Sequence, residues 1–146
     1  MTPDPQKCLS ESRRVLVDGG VLTCSSWEGS QWLDLMNLVP KIRPDKTMPE
    51  LPKEWMNVEA MKKELEKGGF RDVESTKVQT SMKFETMDSL TDFMLTKMPH
   101  MIHLTKDFSE DDSRRLKELC IAEGKKLCST EPGELQGVAL VAVGRK

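Results

Sequence analysis

Tyrosine is absent from this sequence, histidine occurs only twice, and no apolar run approaches the roughly 18 to 20 residues that span a bilayer. Val138 to Val143 is among the longest such runs, so no transmembrane helix and no membrane partner are expected. Residues 1–7 hold two prolines, an acid and no apolar core, which is unlike a secretory signal and points to an intracellular, cytoplasmic chain. An excess of one charge is lacking too. Lys and Arg number 22 against 24 Asp and Glu, a net charge of −2, so there is no electrostatic footprint for nucleic acid. Cys8, Cys24, Cys120 and Cys128 are spaced 16, 96 and 8 apart, with no Cys-x-x-Cys pair and no histidine beside them in sequence. Zinc-site spacing is therefore absent, and four small buried or half-buried thiols are the plain reading.

What is present belongs to a folded protein. With 37% apolar and 32% charged residues over 146 positions, the chain is ordinary for one soluble domain, and residues 1–146 are expected to form a single domain. Asp4-Pro5 suits an N-cap followed by a first helical turn, which predicts a helix over 5–16, ended by Gly19-Gly20. Residues 20–27 are rich in β-formers without clean alternation, which predicts a strand buried on both faces. Dense apolar residues from Ser30 to Val39 predict a short buried helix, and four prolines between Pro40 and Pro52 a surface excursion. Asn57 is placed to cap a helix over 58–67, with Met61 and Leu65 four apart and Gly68-Gly69 closing it. Residues 73–84 alternate like an exposed or edge strand. A stripe of Met87, Leu90, Phe93, Met94, Met98 and Met101 follows, interrupted by Pro99. Ser109 and the acids after it open a helix reaching Leu127. Residues 136–144, the most hydrophobic strand, should lie between neighbours.

Three of these pieces in order carry a resemblance. Arg14-Val-Leu-Val-Asp-Gly-Gly20 leads into the strand 21–27, Leu65-Glu-Lys-Gly-Gly-Phe70-Arg-Asp-Val73 joins a helix to a strand, and Gly137-Val-Ala-Leu-Val-Ala-Val-Gly-Arg-Lys146 is a final strand. Together they resemble the C-terminal half of a class I S-adenosylmethionine-dependent methyltransferase, over nearly the whole chain. Val17 and Asp18 stand where that family has Lys and Pro. The resemblance implies an α/β fold: a partial Rossmann-like sheet of about three strands in the order first-last-middle, the last antiparallel, with about five helices. It also implies S-adenosylmethionine as cofactor. No Gly-x-Gly pattern follows a strand, however, and Gly19-Gly20 follows a helix, so the N-terminal, cofactor-binding half of the family is missing. The reading is a truncated methyltransferase whose binding of the cofactor is doubtful. An unpaired edge on the strand 21–27 then implies self-association or a partner chain.

Candidate chemistry is sparse. His100 and His103, three apart, are candidate general bases for an acceptor hydroxyl, since histidine titrates near neutrality; packed or solvated histidines in a Met-rich segment are the alternative. Two histidines with no third ligand in reach make a poor metal site. Trp27, Trp32, Phe93, Met94 and Met98 are candidates to line a small-molecule acceptor pocket beyond the strand ends, with core packing as the alternative. Glu85, Asp88 and Asp92 read as solvated charges. Ser25 and Ser26 lack the Gly-x-Ser-x-Gly setting of a hydrolase nucleophile. Three functions stay open: a methyltransferase-family protein acting on a small molecule but inactive as this chain, a non-catalytic binding or dimerisation module derived from one, and an unrelated α+β domain.

Overall fold

The computed structural model describes residues 4–49 and 52–146. In chain order the elements are α1 (Pro5–Val15), β1 (Val21–Ser30), α2 (Gln31–Met36), α3 (Val39–Ile42), a 3-10 turn (Lys53–Trp55) and α4 (Val58–Lys67). Next come β2 (Arg71–Phe84), α5 (Met87–Lys97), α6 (Pro99–Thr105), α7 (Glu110–Leu127) and β3 (Gly133–Arg145). The strands form one antiparallel sheet in the order β1-β3-β2, the expected α/β arrangement with the last strand in the middle. By its internal contacts the chain divides into two compact units, 4–28 with 52–79 and 138–146, and 29–49 with 80–137.

In the first unit α1 starts because Asp4 accepts a hydrogen bond from the Lys7 backbone N–H at 3.0 Å and Pro5 occupies a first-turn position where its missing N–H costs nothing. Leu9 is its one buried residue. The turn after it uses Gly19 at φ +76°, where a Cβ would be strained. In α4 the Asn57 side chain accepts from the Ala60 N–H at 2.8 Å, and Met61 and Leu65 turn inward one helical turn apart. These residues meet Leu9, Phe70, Val73, Leu140 and Ala142 in one buried cluster, with Leu22 and Cys24 packed against it. Strand register is visible at the chain end, where the Lys146 N–H donates to Gly20 C=O at 2.9 Å; the Arg71 guanidinium of β2 donates to Lys146 C=O at 3.2 Å.

The expectation that β1 is buried on both faces is corrected. Residues 21, 23 and 25 are exposed, Val21 at 46%, while 22, 24 and 26 are partly buried. Thr, Cys and Ser suit either environment, so the strand alternates in burial without alternating in polarity. On β3, residues 140, 142 and 144 are buried and 139, 141 and 143 half-buried, the graded burial of a central strand.

The second unit is mostly helical. Ser109 accepts from the Asp112 N–H at 3.1 Å to start α7, which buries Leu116, Cys120 and Gly124 at a spacing of one turn. α7 packs against α2, α3 and α5, and α5 against α6. Thr86 and Ser89 form a reciprocal capping box at the start of α5. Seven α-helices are described where about five were expected. Two prolines make the difference: Pro40, read as the start of a surface excursion, sits in the first turn of α3, and Pro99 likewise opens α6. No described helix is long and apolar enough to cross a membrane.

Candidate functional site

The candidate side chains of the second unit come mainly from the α5–α6 corner. α5 points Met87, Leu90, Thr91 and Met94 inward, which leaves Phe93 on its outer side, 50% exposed. Met98 is the extended residue between the two helices and is half-buried. His100 and His103 are both exposed on α6, one turn apart, so their Cβ atoms are about 5–6 Å from each other. The His100 Nε2 lies 3.0 Å from Met36 Sδ of α2. A thioether accepts and cannot donate, so this contact favours the proton on Nε2 and leaves the Nδ1 lone pair available.

Other candidates lie deeper. Trp32 is 5% exposed and Met94 1%, so both act as packing for this corner. Gly137 belongs to the same packing: a Cβ there would meet the Trp32 ring and would come within 2.8 Å of Ser30 Cβ. Trp27 lies in the first unit, half-buried on β1. Asp88 and Asp92 are largely exposed, as expected, but they also bracket Lys117 at 3.0 and 2.8 Å, pairing α5 with α7 and raising the lysine's pKa.

Two concavities do not coincide with these residues. A shallow one of about 440 Å³ in the second unit is lined by Lys83, Phe84, Glu85, Pro132, Gly133 and Glu134. A more apolar cleft of about 330 Å³ in the first unit has Cys8 and Ser12 of α1, Leu22 and Cys24 of β1, and Trp55 among its walls. Burial pushes the Cys24 thiol above its ordinary pKa, and the charge of Cys8 adds to the effect. Nothing in the sequence marked this pairing of cysteines, because helix and strand bring together residues with no motif spacing. Met36 was equally illegible as the neighbour of His100. Among the described residues, no group of three or more His, Cys, Asp or Glu side chains is placed to hold a metal ion.

Two strand-to-helix turns lack the form that the cofactor implied by the resemblance requires. At the β1–α2 turn Ser30 Oγ accepts from the Leu33 N–H, and at the β2–α5 turn Thr86 Oγ1 accepts from the Ser89 N–H. Each turn satisfies its own helix amide, and neither is the glycine-rich loop that lets a ligand approach the backbone.

No protein-family model matches this chain. It is similar to the methyltransferase ucsB of an Acremonium species, 36% identical over 144 residues, which is 99% of this chain and 50% of that protein. It is also similar to the methyltransferase tpcH of Aspergillus fumigatus, 28% identical over 160 aligned positions, 100% of this chain and 55% of that protein. The chain thus spans about half the length of the curated relatives it matches. Both relatives are named methyltransferases, and the likeness supports that class.

Proposed function

We propose that the chain is the C-terminal, acceptor-side part of a class I S-adenosylmethionine-dependent methyltransferase of Rossmann-like fold, acting on a small molecule in the cytoplasm. The observation that carries this reading is 36% identity to a methyltransferase across 99% of the chain. The strand order β1-β3-β2 with its antiparallel middle strand agrees with it. Bound S-adenosylmethionine would supply the methyl group, and on this reading the residues that hold it lie in the part of the relatives' length that this chain does not span.

The chain's own residues bind and orient the acceptor, which is where most of the rate of such a transfer arises. Phe93 and Met98 offer apolar surface, and His100 takes the acceptor proton at Nδ1, with His103 beside it. Trp32 and Met94 hold the corner from behind. This chain alone has little or no transferase activity.

Exchanging the aligned residues of the methyltransferase ucsB for this chain tests the reading. The expected chimera folds, binds the cofactor by calorimetry and transfers a labelled methyl group to the acceptor of ucsB, while His100→Gln lowers kcat. A folded chimera that binds no cofactor overturns it. For the chain alone, calorimetry with millimolar cofactor is expected to show no saturable heat; micromolar affinity would mean that the cofactor residues are here after all. The poor fit of the two turns to the cofactor also favours a second reading, a non-catalytic binding or dimerisation module that associates through the β1 edge of the sheet. Sedimentation at several concentrations addresses that reading: concentration-dependent dimers support it, and a monomer at high micromolar concentration removes it.

A further inference from the structure

We propose that Cys8 and Cys24 are a thiol pair which a low-molecular-weight disulfide such as oxidised glutathione converts into an intramolecular disulfide, tying α1 to β1 across the cleft of the first unit. Both thiols are free and both line the same cleft of about 330 Å³. The packing that joins the two elements runs beside them, since Leu9, next to Cys8, belongs to the buried cluster on which Cys24 rests. The charge of Cys8 is felt at Cys24, which places the two sulfurs in electrostatic reach.

Exposure orders the two steps. Cys8 is exposed and Cys24 half-buried, so the incoming disulfide meets Cys8 first. The Cys8 thiolate attacks one sulfur of oxidised glutathione, and one glutathione leaves as its thiolate with the bonding pair. Cys24 then gives its proton to water and attacks the Cys8 sulfur of the mixed disulfide, releasing the second glutathione. Two protein thiols are oxidised and one glutathione disulfide is reduced to two thiols. Cys24 is a poor first nucleophile because burial holds it protonated, but a tethered partner at high effective concentration offsets this in the second step. Cys120 is 1% exposed, and Cys128 belongs to the other unit.

The experiment exposes the full chain to oxidised glutathione, traps remaining thiols in acid with an alkylating agent and determines mass. The expected main product takes up two alkyl groups where the untreated chain takes up four, is lighter by two hydrogens once those groups are subtracted, and on trypsin digestion releases segment 8–13 linked to segment 15–41. Cys24→Ser is expected to stop at a glutathione adduct on Cys8, and Cys8→Ser to slow modification of Cys24 by about tenfold or more. A wild-type chain that retains a stable glutathione adduct on Cys8 without the linked segments overturns the proposal, as does a link from either cysteine to Cys128.

Discussion

The two units are packed from different materials. The first buries Leu9, Met61, Leu65, Phe70, Val73, Leu140 and Ala142, mostly branched or aromatic side chains against strands. The second buries Met36, Met87, Met94 and Met101 among its largest enclosed side chains, on helices. Methionine has three rotatable bonds and a polarizable sulfur, so it fills irregular gaps and follows changes in its neighbours. The difference teaches where adaptability lies: six of the seven candidate site residues belong to the methionine-rich unit, and only Trp27 to the other.

The largest expected effect tests this contrast. Leu65→Ala removes a fully buried side chain from the first unit and is expected to cost about 2–5 kcal/mol in denaturant unfolding, whereas Met94→Leu in the second should cost under about 1.5 kcal/mol. Equal costs would erase the distinction. Two glycines of the second unit sharpen it. Gly137→Ala drives a Cβ into the Trp32 ring and is expected to cost about 1–3 kcal/mol, while Gly124→Ala meets the flexible Met87 and should cost clearly less. Calorimetric melting of both variants reads the difference, and a costlier Gly124→Ala would show that Met87 cannot move aside.

Local capping should not distinguish the units. Asn57→Ala at α4 and Thr86→Ala at α5 are each expected to lose about 1 kcal/mol, measurable as similar shifts of the denaturation midpoint. The smallest effect depends on pH. Burial pushes the Cys120 thiol from 9.0 up to about 12, so the neutral form is favoured in the folded protein. Its contribution to stability is therefore complete below the ordinary thiol value and is lost as pH rises through about 12. Cys120→Ala should flatten the fall of stability in that alkaline window. An unchanged slope would assign the fall to other groups.

Much of the architecture was legible because its signals are local. Asp4, Asn57 and Ser109 each announced a helix start through a side chain three residues from the amide it accepts from. The alternation of residues 73–84 and the apolar density of 136–144 correctly separated an edge strand from a central one. Pro40 misled because proline breaks a helix interior but suits a first turn, and only the position of the helix axis decides between these, whereas the interruption expected at Pro99 is the boundary between α5 and α6.

By itself the sequence determined most element types and, by resemblance, the antiparallel middle strand, and it nominated His100, His103, Phe93 and Met98 as candidates. Tertiary structure alone decided that Phe93 faces out while Met94 faces in, that Met36 stands behind His100, and that Cys8 and Cys24 share a cleft. The physical reason is range. Caps, turns and periodicity act within a few residues and are written in neighbouring letters, whereas Met36 and His100 are 64 positions apart and meet only because helices pack their side chains together.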